Sequence, residues 1–140
     1  MNGHIRVDLA GLPDDALSVL RWIAREEGDR DDQDRAESLC EEPLLCVDPD
    51  VIHAVALAVS RKRAWVDPAE AQCLRLLIQA ASYLFGEASL QMAAGILSGF
   101  DERYVSAYDG LPAVKDQVEA FEELAALAHR IAQALEEVSR

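Results

Sequence analysis

Val47-Asp48-Pro49-Asp50 and Val66-Asp67-Pro68-Ala69 decide how this chain is read, because both stretches open a helix in the same way. In each, the Asp side chain can accept from the first free N–H groups of a helix. The Pro takes the first helical position, where a missing donor costs nothing. The preceding Val can pack one turn further in, Val47 onto Ile52 and Val66 onto Ala71, and Glu70 can complete a capping box with Asp67. The 19-residue offset between the two starts is shorter than the periods of helical repeats, so no solenoid is expected.

Working outward, the segment Pro49 to Arg63 is apolar nearly all round through Val51, Ile52, Val55, Leu57 and Val59. A helix without a polar face belongs in the centre of a bundle. The next helix is expected over Pro68 to Phe85, ending at Gly86. A further one is expected over Glu87 to Ser98, and a short one from Asp101 to Tyr108. On the N-terminal side, Leu12-Pro13-Asp14-Asp15 opens a helix whose stripe is Ala16, Leu17, Val19, Leu20 and Ile23, with Gly28 as its stop. Trp22 lies off that stripe and reads as a packed residue. Ile5, Val7 and Leu9 alternate with Arg6 and Asp8, the pattern of a strand. With no partner strand in view, residues 1–11 read as an extended arm lying on the bundle.

The last segment, Pro112 to Arg140, is the longest. Val114, Val118, Phe121, Leu124, Ala125, Ala128, Ile131, Ala132, Leu135 and Val138 recur at spacings of three and four. The expected fold is therefore all-α: one domain over 1–140, a compact bundle of five to six helices. It has an extended N-terminal arm (1–11), an acidic connector (28–42) and a long amphipathic C-terminal helix (112–140).

Net charge narrows the function. The 140 residues carry 13 Lys+Arg against 26 Asp+Glu, a formal charge of −13. That balance disfavours direct nucleic-acid binding and docking on anionic membranes, and it favours basic partners. The opening residues carry no basic, then apolar, leader pattern, and Leu76 to Phe100 is interrupted by Glu87 and polar side chains, so no membrane span is expected. Three cysteines without a CxxC motif fit a reducing compartment, which places the chain in the cytoplasm.

Candidate chemistry is sparse. Cys40, Cys46, His53 and Cys73 do not have the spacing of a zinc knuckle, so they read as buried thiols and a core or boundary histidine. Asp50-x-x-His53 places a carboxylate and an imidazole on one helix face but has no second copy, as a di-metal bundle would need. Glu119-x-x-Glu122 and Glu26-x-x-Asp29 resemble the magnesium-holding pairs of MazG-type nucleotide pyrophosphatases. Their order is reversed and the second pair straddles Gly28, so that activity is set aside. There is no G-x-S-x-G elbow and no phosphate-cradling glycine loop. Neither an enzyme nor a cofactor is expected.

Two functional readings remain. The first is a non-enzymatic interaction protein (adaptor, regulator or small subunit of a larger complex) that meets another protein or a second copy through Phe121, Leu124, Ala128, Ile131, Leu135 and Val138. The second is an acidic decoy that fills the basic groove of a nucleic-acid-binding protein. Its surface would come from the run Glu26 to Glu42, nine acids against two bases, and above all from Glu26, Glu27, Asp29, Asp31, Asp32 and Asp34. Arg61, Lys62 and Arg63 form one basic cluster. It reads as a helix C-terminus favoured by the dipole, or as a contact for phosphate or for the chain's own acids.

Overall fold

The computed structural model describes residues 4–28, 47–82 and 117–138. The described chain is helical apart from one short ladder. Strand β1 (Ile5–Arg6) leads through a 3-10 turn (Leu9–Gly11) into α1 (Asp14–Gly28). Helix α2 (Pro49–Ser60), strand β2 (Trp65–Val66) and helix α3 (residues 68–82) follow. The last element is α4 (Gln117–Val138). Four α-helices thus stand among the described residues. The helices expected over Glu87 to Ser98 and Asp101 to Tyr108 lie outside them, as do most of the connector 28–42 and the ends of the C-terminal segment 112–140.

Both Asp-Pro starts form as their sequence dictates. Asp48 caps α2, its Oδ1 accepting from Asp50 N at 2.9 Å, with Pro49 behind it. Asp67 and Glu70 form a reciprocal capping box: Glu70 N donates to Asp67 Oδ1 at 2.8 Å and Asp67 N donates to Glu70 Oε1 at 3.0 Å. Val66 and Ala71 are buried, and Val47 packs against the core that contains Ile52.

That core is shared by every element. Leu17, Leu20 and Ile23 of α1 meet Ile52, Val55 and Val59 of α2, Leu74 and Leu77 of α3, and Leu124, Leu127 and Ile131 of α4. Helix α1 packs on α2 and on α4. Burying one such Leu or Ile contributes about 1.5–3 kcal/mol, so the four helices are held mainly by this contact surface.

Three expectations change. The arm is also a strand: Ile5 pairs with Val66 and Arg6 with Trp65 in an antiparallel ladder. Val7 N and Asp8 N then donate to Ala64 O at 2.8 and 3.2 Å, and Leu9 N donates to Arg63 O at 3.1 Å. With those donors satisfied, Ile5, Val7 and Leu9 sink into the core and β1 rests on α4. The ladder is further covered by Arg6, whose guanidinium lies 5.8 Å from the Trp65 ring centroid and whose Nε donates to Asp8 Oδ2 at 2.7 Å.

Helix α2 is not central. Ile52, Val55, Ala58 and Val59 are buried, but Asp50, His53 and Ser60 are exposed and Leu57 is 50% exposed. It also stops at Ser60, three residues early, because Lys62 enters the left-handed region at φ 52°. Lys62 N donates to Val59 O and Arg63 N to Ala58 O, both at 3.1 Å, the bond pattern that closes a helix in a Schellman turn.

The seam of α4 is rotated from the expected stripe. The residues sealed from solvent are Ala120, Leu124, Leu127 and Ile131, at spacings of four, three and four. Val118 is 69% exposed, and Ala125 and Ala132 also face solvent. Period alone does not say which of several adjacent apolar residues turns inward. Ala120 does, at the start of the described helix.

Candidate functional surface

The residues expected to form a partner interface divide along α4. Leu124 and Ile131 are buried in the chain's own core, and Phe121 and Ala128 pack half-buried against it. Leu124 and Ile131 are therefore committed to folding, which corrects the expectation that these two meet another chain. The seam does not stop at Ile131. It continues at the same spacing through Ala134 and Leu135, half-buried, to Val138, 46% exposed. From Ala132 to Val138 no residue is fully buried. At 1.5 Å per residue the 22 residues of α4 span about 33 Å, and only its first two-thirds is sealed by the rest of the chain.

The acidic surface is altered as well. Glu27 is buried at the end of α1, not displayed to solvent, because that turn of the helix faces inward with Ile23 and Ala24. Glu26 belongs to the same helix, and Asp29, Asp31, Asp32 and Asp34 lie outside the described residues. On α4, Glu119, Glu122, Glu123, Glu136 and Glu137 are exposed.

Arg61, Lys62 and Arg63 are exposed, but their backbone closes α2 and the Arg63 carbonyl receives Leu9 N of the N-terminal arm. The cluster sits at the joint between helix and ladder. Cys73 is buried on α3, while His53 is exposed on α2, which corrects its reading as a core or boundary residue. Cys40 and Cys46 lie outside the described residues. Among the described residues no three His, Cys, Asp or Glu side chains converge as a metal site. No helix there is long and apolar enough to cross a membrane.

A groove of about 480 Å³ lies between α1 and α2, lined by Ser18, Arg21, Trp22 and Arg25 from the first and by Ala56 and Ser60 from the second. Trp22 is buried, and Arg21 and Arg25 are exposed one helical turn apart. The spacing of Ser18, Arg21, Trp22 and Arg25 is that of a single helix face, and it was visible in the sequence on the side opposite the apolar stripe.

No protein-family model, no curated protein and no solved structure matches the chain.

Proposed function

We propose that this chain is a non-enzymatic helical interaction protein of the cytoplasm, an adaptor, regulator or small subunit that engages another protein through the end of α4. The observation that carries this reading is the apolar seam that outlasts the core. Ile131 is fully buried, Leu135 half-buried and Val138 largely open, all on one continuous line. A helix from another chain laid along that line would bury Leu135 and Val138 in the manner of a coiled-coil seam. Completing the burial of Val138 contributes up to about 1.5 kcal/mol, so the contact requires several such residues from the partner. Glu137, exposed beside the seam, favours a partner with basic residues at its rim.

The test substitutes Leu135→Glu and Val138→Glu together, leaving Leu124, Leu127 and Ile131 in place. The native protein is affinity-purified with whatever accompanies it, and the isolated chain is examined by sedimentation velocity. The expected result is a folded variant, helical by circular dichroism, that has lost its companion protein or its self-association. A folded variant that keeps the same companion or the same oligomeric state overturns the reading.

A further inference from the structure

The groove between α1 and α2 has a sign opposite to that of the chain as a whole. Its rim carries Arg21 and Arg25, and its lining includes Trp22, Ala56 and the hydroxyls of Ser18 and Ser60. Two guanidinium groups at positions i and i+4 of one helix repel each other. Among the described residues neither is ion-paired, although the chain holds 26 Asp and Glu. The groove is not an enclosed cavity, whereas sites for small molecules enclose most of their ligand.

We propose that this groove docks an acidic amphipathic helix from a protein partner. The apolar stripe of that helix lies on Trp22 and Ala56. Its flanking carboxylates accept from the Arg21 and Arg25 guanidiniums, which present paired donors suited to a carboxylate. The Ser18 and Ser60 hydroxyls can donate to the same groups. The charge of −13 opposes such a partner only at long range, because at physiological salt charges more than about 8 Å away are largely screened and the nearest cations dominate. The groove shares no residue with the open end of α4, so its failure leaves the preceding reading standing.

The test uses two synthetic amphipathic helices with one leucine–alanine stripe, the first flanked by Glu and the second by Gln. The chain has two tryptophans, so Trp65→Phe makes Trp22 the only indole and its fluorescence the binding signal. The Glu peptide is expected to bind at least about tenfold more tightly than the Gln peptide at low salt, and to weaken as salt is raised. Arg21→Glu with Arg25→Glu should abolish that preference with the helical spectrum intact, whereas Arg130→Glu on α4 should leave it unchanged. Equal binding of the two peptides, no binding, or binding indifferent to Arg21 and Arg25 overturns the proposal. So does saturation of the Trp22 signal by inorganic phosphate with no response to the Glu peptide, which would make the groove a small-anion site. A signal that changes with protein concentration alone, without peptide, would give the groove to a second copy and overturn the proposal as well.

Discussion

Replacing Lys62 by Gly should stabilise the protein, and the size of the effect follows from one torsion angle. Lys62 sits at φ 52°, just past the end of α2. An L-residue in this left-handed region carries a cost of about 1–2 kcal/mol that glycine escapes. Glycine is freer in the unfolded chain and returns about 0.5–1 kcal/mol of that gain. Removing the positive charge from the helix C-terminus costs roughly another 0.3 kcal/mol at an exposed site. Comparison with Lys62→Ala removes the charge term, since both variants lose it. Gly should then exceed Ala by about 0.5–1 kcal/mol, or a Tm higher by a few degrees for a chain of this size. Inside an exposed helix the order reverses, so Ala132→Gly, on the open face of α4, should cost about 1 kcal/mol. Urea unfolding followed by circular dichroism measures all three differences. If Lys62→Gly proves equal to or less stable than Lys62→Ala, the left-handed turn does not close α2, and the path from Arg63 into the β1–β2 ladder is misplaced.

Three further outcomes are expected. Asp67→Ala should cost about 1 kcal/mol, and the double variant with Glu70→Ala should cost less than the sum of the singles, because each side chain caps the other's backbone N–H. Leu127→Ala should cost about 2–5 kcal/mol while Val118→Ala stays within about 0.5 kcal/mol, two apolar residues of one helix separated only by which way they face. Ile5→Ala should destabilise by more than 1 kcal/mol in denaturant unfolding, as expected for a fully buried strand residue, whereas an arm resting loosely on the surface would tolerate it.

The local chemistry of this chain was legible and the long-range chemistry was not. Asp48-Pro49 and Asp67-Pro68 carry cap, first turn and staple within six consecutive residues, so nothing distant is needed to read them. The β1–β2 ladder joins Ile5 to Val66 across some sixty residues of sequence, and two-residue strands leave no periodic trace. Lys62 gives no warning of a left-handed turn, as a glycine there would have done. On α4 the average period was right but the phase was not. Val118, Phe121, Leu124, Ala125 and Leu127 offer several stripes, and the choice among them depends on what α1 and β1 present. His53 was misplaced for a related reason: α2 is apolar enough to be central, yet the described chain covers it on one side only. The groove was hidden because attention to apolar spacing passes over a polar face, even though Ser18, Arg21 and Arg25 recur on it with helical period.

The most direct test of the division of α4 is a chain ended after Ala132. It keeps Ala120, Leu124, Leu127 and Ile131 and removes Leu135 and Val138, so the loss of half-buried contact should amount to only about 1–2 kcal/mol. Thermal unfolding and co-purification should then show a cooperative, folded protein with a Tm a few degrees lower and no companion chain. A shortened protein that fails to fold would assign the last two turns to the core, and one that folds and still holds its companion would move the contact elsewhere.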